Sequence, residues 1–260
     1  MIPLPDGFLS LPIAHRGYHD AGSGIIENTR AAFTAAIDAG YGIELDVQLS
    51  ADGHAMVFHD YDMARLTGKP GPIRIQQRAD LTKTRLLGCD ETIPTLPEIL
   101  DLIDGRTPVL IETKDQDGAM GPDIGPLEQS VADALKDYDG PAAVMSFNPH
   151  SVIALSKLAP ATPRGIVTCH FPAEYWQLLN KKTRAHLRTI PDYDRAGACF
   201  ISHHHDDLDN PRIAELRIKG ANVICWTIRS AEAEAEARKV ADNVTFEGYA
   251  AASPTSLATA

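Results

Sequence analysis

The chain has 260 residues, a formal net charge of -11, an apolar share of 44% and a charged share of 23%. Those values describe an ordinary globular protein with room for a sizeable core, and the acidic balance speaks against a general nucleic-acid binder while leaving room for one local phosphate pocket. The four cysteines form no C-x-x-C pair, residues 1–10 lack the pattern of a secretory signal, and no apolar run approaches the roughly 20 residues needed to span a bilayer, so the expectation is a cytoplasmic protein with reduced thiols and no membrane insertion.

In chain order, residues 11–14 are a short apolar run that delivers His15-Arg16-Gly17, the form of a strand ending in a polar tip. A helix follows over 29–39, with Asn28 or Thr29 as cap and Gly40 as stop. The next strand, residues 42–49, sets Glu44 and Asp46 on one face and Ile43, Leu45 and Val47 on the other. Ala51-Asp52-Gly53 is a turn signal, and the apolar run 55–58 behind it ends in His59-Asp60. Residues 60–94 show no clear period and read as a surface insertion without a core of its own. Thr95 caps a helix with Pro97 in its first turn and Glu98 at the capping-box position.

From residue 108 the alternation is regular. Strands over 108–111, 142–145, 164–168, 199–202 and 222–225 alternate with helices over 127–138, 150–158, 173–187, 211–220 and 230–241. Residues 244–246 form a last extended piece. Strand-helix alternation predicts a parallel sheet, and eight strands in this length predict an α/β fold of the TIM (β/α)8 barrel type. The expected organisation is a single domain over 1–260, with a short insertion at 60–94 after the third strand.

Active sites of such barrels lie at the C-terminal strand ends. Here those ends carry His15 and Arg16, Glu44 and Asp46, His59, Glu112 and Lys114, Ser146, His203, and Trp226 with Thr227. Three carboxylates, Glu44, Asp46 and Glu112, suit a divalent cation such as Mg²⁺ or Ca²⁺. The competing reading pairs Glu112 with Lys114, two residues on and on the same face. His15 and His59 are candidates for general acid and base. Arg16 and Lys114 offer positive charge to an anion. The run His203-His204-His205 reads either as a metal site or as a polar loop.

These residues form motifs. I-A-H-R-G (13–17), E-N-T-R-A-A-F (27–33), E-L-D-V-Q-L (44–49) with D-G after it, V-F-H-D (57–60), E-T-K (112–114), S-F (146–147) and C-W-T (225–227) occur in one order over nearly the whole chain. In this the chain resembles the glycerophosphodiester phosphodiesterases. The resemblance implies a TIM barrel that uses a divalent cation to hydrolyse a small-molecule glycerophosphodiester to glycerol 3-phosphate and an alcohol. It further implies Glu44, Asp46 and Glu112 as metal ligands, His15 and His59 as the acid/base pair, Arg16 and Lys114 as phosphate contacts, Trp226 as pocket lining and Glu27 as a helper of the site. Three positions depart from the family pattern: Ile26 where a proline is usual, Arg229 where Asn or Asp is frequent, and Thr245-Phe246-Glu247-Gly248 in place of the closing I-T-D-x-P. They bear on the pocket rim and the leaving alcohol. A phospholipase D-like action on lysophospholipids, aided by an apolar loop with Phe171, Tyr175 and Trp176, is the alternative within the enzyme class. A non-catalytic barrel that binds a phosphodiester is the alternative outside it.

Overall fold

The computed structural model describes residues 2–252. The first half of the chain forms α1 (Gly7–Ser10), β1 (Ile13–Ala14), α2 (Arg30–Asp38), β2 (Gly42–Leu49), β3 (Ala55–Val57), α3 (Ala64–Thr67), α4 (Arg78–Leu81), α5 (Leu96–Ile103), β4 (Val109–Thr113) and α6 (Pro126–Leu135). The second half forms β5 (Ala142–Ser146), α7 (Pro149–Leu158), β6 (Arg164–Thr168), α8 (Lys181–Leu187), α9 (Tyr193–Ala196), β7 (Phe200–His204), α10 (Pro211–Ile218), β8 (Asn222–Ile228), α11 (Ala231–Ala237) and β9 (Asn243–Phe246).

Eight parallel strands close into a ring in the order β1, β2, β4, β5, β6, β7, β8, β9, and β1 pairs with both β2 and β9. The barrel expected from the alternation is therefore present, with a different member completing it. The short piece at 244–246 is the eighth ring strand. The expected third strand, β3, stands outside the ring and pairs antiparallel with β2 alone. The five residues between β2 and β3 are too few to cross over to a parallel neighbour, so the tight turn at 51–53 makes a hairpin.

Alternation sorts side chains to the two faces of the ring. Ile43, Leu45, Val47, Val109, Ile111, Val144, Val223 and Val244 point outward into the main core under the helices. Ile13, Leu110, Ala143, Met145, Val167, Phe200 and Ile224 point inward, and Phe8 of α1 plugs the bottom of the barrel beneath them. Gly165 is required in this inner layer: a Cβ there would stand 2.2 Å from the ring of its neighbour Phe200. Above the apolar layer the inward positions turn polar, with Glu44, Asp46, Glu112, Ser202 and Thr245 all buried.

Two expectations for the outer segments are corrected. Residues 60–94 carry a small core: Met63, Leu66, Ile73, Leu81 and Leu86 pack with Met56, Phe58 and Ile93. Short helical turns and Gly/Pro breaks hide its periodicity in the sequence. The helix expected over 173–187 is confined to Lys181–Leu187, because the Asn180 side chain accepts a hydrogen bond from Thr183 N–H and starts it there.

Replacing Phe8 by Ala removes the plug of a closed layer. It is expected to cost about 3–5 kcal/mol of unfolding free energy, measured by denaturant titration.

Candidate active site

Glu44 and Asp46 lie two apart on β2 and so share the interior face. Asp46 stands in register with Glu112 on β4. One oxygen from each of the three carboxylates lies within 4.8 Å of the others. Parallel register thus completes from a distant segment the pair that a single strand begins.

Each carboxylate has different company. Asp46 accepts from Asn28 Nδ2 at 2.9 Å and is paired by Lys114 Nζ at 2.7 Å and Arg16 Nε at 3.3 Å. Burial alone would raise its pKa, but Lys114, His59 and Arg16 outweigh that and hold it well below the usual range. Lys114 Nζ also lies 2.5 Å from Glu112 Oε1, so the ion pair weighed from the sequence is present, and Lys114 bridges both acids. Burial, then the charges of Asp46 and Glu112, push Glu44 well above the carboxylate range. Among the described residues the only hydrogen bond to its carboxylate is from Arg16 N–H, at 3.0 Å. One ammonium, and one guanidinium shared with Glu27 at 2.8 Å, leave the cluster short of positive charge. A set of three hard, buried oxygen donors in that condition could hold a divalent cation.

The backbone is bent to serve this cluster. Arg16 and Asn28 both occupy the left-handed region, at φ 55° and 57°, which non-glycine residues adopt at a cost. Arg16 thereby turns its N–H onto Glu44, and Arg16 C=O accepts from Asn28 N–H at 2.9 Å. Gly17 follows at φ 81°, where a Cβ would meet the backbone of Ala32 at 2.9 Å.

The two histidines arrive by different routes. His15 follows β1, and its N–H bonds Phe246 C=O across the ring seam. Its Nδ1 lies 2.5 Å from Glu247 Oε2. A carboxylate only accepts, so Nδ1 carries the proton and Nε2 keeps its lone pair. Burial lowers the His15 pKa to about 4 against the raising effect of Glu247, so the imidazole is neutral near pH 7. Burial would raise Glu247, but the hydrogen bond from His15 and the nearby His19 and Arg229 hold it below the carboxylate range.

His59 comes from the hairpin. Pairing of Val57 with Val47, and of Phe58 N–H with Asp46 C=O, carries the chain back down from the tip of β2 to the level of the carboxylates. Gln48 Nε2 then holds His59 C=O at 2.9 Å. His59 Nδ1 lies 2.7 Å from Asp60 Oδ1, and Arg65 grips Asp60 at 2.6 and 2.9 Å. Arg65 also binds Glu27, whose pKa falls to about 2 as Arg65 and Arg16 overcome its burial.

These groups line a cavity of about 190 Å³ with His15, Arg16, Glu44, His59, Glu112 and Lys114 in its wall. It opens beside a mouth of about 1280 Å³, and His59, Glu112, Lys114, Phe147, Trp226 and Arg229 border both spaces. Trp226 is fixed by Nε1–H donating to Ser202 C=O at 2.9 Å. Phe147 packs edge-on against it, with ring centroids 5.4 Å apart.

Every candidate named from the sequence for metal, acid/base, phosphate or pocket lining thus meets here: His15, Arg16, Glu44, Asp46, His59, Glu112, Lys114 and Trp226. Two strand-end residues do not join them. His203 has outward parity on β7, is fully buried, and bonds Asp207 through Nε2. Ser146 Oγ donates to Thr113 C=O and is structural. The rest of the histidine run lies at the mouth, where His204, His205 and Asp206 form a second, more exposed cluster. Sequence reasoning missed Asn28, Asp60, Arg65 and Glu247. Asn28 and Asp60 sit inside the quoted motifs and could have been read there; Glu247 falls in the segment that replaces the closing motif, and Arg65 has no motif signal.

A model of the glycerophosphoryl diester phosphodiesterase family matches residues 15–245. The chain belongs to that family. It is therefore an enzyme, a phosphoric diester hydrolase. It is 34% identical over 184 residues to a glycerophosphodiester phosphodiesterase of Caldanaerobacter subterraneus, covering 65% of this chain and 71% of that one. It is 27% identical to a putative glycerophosphodiester phosphodiesterase of Bacillus subtilis, covering 86% and 88%. A phosphodiesterase of Oleispira antarctica, solved with the product sn-glycerol-3-phosphate, superposes with a TM-score of 0.71 at 25% identity, over 93% of this chain and 94% of that one.

The His15 shift has a consequence for stability. Its folded pKa lies below the unfolded value of 6.5, so between about pH 6.5 and 4 the unfolded chain binds the proton and the folded chain does not. Stability is expected to fall as pH drops through that window, by on the order of 3 kcal/mol from this group. His15→Gln should flatten that part of a stability-against-pH curve measured by denaturant titration.

Proposed function

We propose that this enzyme hydrolyses glycerophosphodiesters to glycerol 3-phosphate and an alcohol, with a divalent cation on Glu44, Asp46 and Glu112 and with His15 and His59 as base and acid. The observation that carries the reading is the convergence of two carboxylate-anchored histidines, Arg16, Lys114, Glu44 and Glu112 on one cavity of about 190 Å³, with Asp46 buried beside the two acids. The product bound by the Oleispira relative is of the same chemical class.

His15 is the general base. It is neutral, it lines only the inner cavity, and its Nε2 carries a free lone pair. It takes the proton of the attacking hydroxyl, from water, or from the glycerol 2-position to form a cyclic phosphate that water then opens to glycerol 3-phosphate. His59 is the general acid. It stands where the inner cavity meets the mouth, the side from which a variable alcohol departs. It gives its Nε2 proton to the alcohol oxygen as the phosphorus–oxygen bond breaks. Arg16 and Lys114 bring positive charge to the phosphate oxygens, with Arg16 held in its fork by Glu27. When bound, the cation neutralises charge that builds on the phosphoryl oxygens. Trp226 and Phe147 form the apolar wall on the alcohol side.

A second reading, action on lysophospholipids, is favoured by one feature. Tyr175 and Leu178 are 81% and 77% exposed beside the mouth, an apolar edge for an acyl chain. Phe171, expected in the same loop, is instead fully buried against Trp176. Comparing glycerophosphocholine with lysophosphatidylcholine separates the two readings.

Turnover of glycerophosphocholine should vanish in metal-stripped protein and return with Mg²⁺ or Ca²⁺; activity that survives chelation removes the cation from the reaction. His15→Ala and His59→Ala are each expected to lower kcat by about 100- to 10,000-fold. Wild-type turnover in both variants would overturn the acid/base assignment.

A further inference from the structure

Two of the three departures from the family motifs, Arg229 and Glu247, meet in space. Glu247 caps β9 and Arg229 follows β8, next to it in the ring. Arg229 Nε donates to Glu247 Oε1 at 2.9 Å, and Nη2 stands 2.7 Å from the same oxygen. The other oxygen, Oε2, faces His15 Nδ1 at 2.5 Å and His19 Nε2 at 3.7 Å. The two carboxylate oxygens are thus divided, one to the guanidinium and one to the imidazole.

The backbone makes this arrangement specific. Glu247 N–H bonds Ile228 C=O at 2.9 Å, which ties the residue to the end of β8. Gly248 then turns the chain away in the left-handed region at φ 77°. On the other side of the seam, His15 N–H is bonded to Phe246 C=O. His15 and Glu247 are 232 residues apart in sequence and are brought together only by closure of the ring. The family match ends at residue 245, so Glu247 lies outside it.

The second histidine has a matching anchor. His59 Nδ1 rests on Asp60, and Asp60 rests on Arg65. Each histidine at the cavity therefore has a carboxylate behind Nδ1 and an arginine behind the carboxylate. A partner at Nδ1 fixes both the tautomer and the plane of the ring, which is how a carboxylate behind a histidine contributes to proton transfer.

We propose that Glu247 is the positioning residue of His15, holding Nδ1–H so that the Nε2 lone pair faces the inner cavity, and that Arg229 holds Glu247 in place. The proposal rests on the base role of His15 given above. Arg229 is 63% exposed, so its removal leaves the core untouched. The guanidinium acts on the reaction through Glu247.

The test uses full-length protein with Mg²⁺ added and glycerophosphocholine as substrate. Glu247→Gln keeps the size of the side chain but can offer Nδ1 an amide in place of a carboxylate. It is expected to lower kcat about 100-fold with KM changed less than about threefold and with an unchanged melting temperature. Glu247→Asp should recover at least a tenth of wild-type kcat, and Arg229→Gln should lose about five- to tenfold. In wild type, a far-downfield imidazole proton should be seen by NMR, and it should disappear in both His15→Gln and Glu247→Gln. That readout needs no turnover and stands if a variant fails to fold, since its absence from wild type alone overturns the proposal. Wild-type kcat in Glu247→Gln, with His15→Ala inactive, overturns the positioning role and leaves the proposed function standing. Full activity in His15→Ala overturns the proposed function itself.

Discussion

The constraint on which this structure turns is the burial of three carboxylates inside a closed barrel. Glu44, Asp46 and Glu112 are all at least nine-tenths removed from solvent, and burying an unpaired charge costs several kcal/mol. Lys114 and Arg16 offset part of that cost, and the Glu44 carboxyl is left with a raised proton affinity. The strained backbone at Arg16 and Asn28 exists to bring one N–H and one amide to these acids. The barrel interior is accordingly split, with an apolar layer plugged by Phe8 below and a polar layer above.

Around that cluster, topology delivers the two histidines. The hairpin after β2 is an irregularity of the barrel, yet it returns His59 to the height of Asp46 without a helix between them. The seam between β1 and β9 brings His15 against the far end of the chain. Both histidines end with a carboxylate on Nδ1, and both line one small cavity. Two similar anchors are thus built from unrelated segments.

Electrostatics and shape divide the labour between the two spaces. The inner cavity is small and rich in charge, suited to a phosphate and a three-carbon unit. The mouth is several times larger and walled by Phe147, Trp176 and Trp226. The inner space thus presents fixed charges, while the mouth presents mostly apolar faces. No helix among the described residues is long and apolar enough to cross a membrane.

What the sequence by itself determined was the set of side chains at strand ends. Alternation assigned Glu44 and Asp46 to one face, strand-helix spacing gave the barrel, and the order of the motifs gave the family, because these signals are local or repeat at a fixed period. Only the tertiary structure decided which strand ends share a face of the ring. Parity sent His203 outward although it ends a strand, and it sent Trp226 inward. Register set Glu112 beside Asp46. The eighth strand was a three-residue hint in the sequence and became the closing strand because β1 needed a second partner. Glu247 was visible only as part of a departure from the closing motif, and its role beside His15 was not, since that partner is 232 residues away and the contact exists only once the first and last strands pair. Local chemistry is legible in a sequence; contacts made by closure of a ring are not, because nothing short-range encodes them.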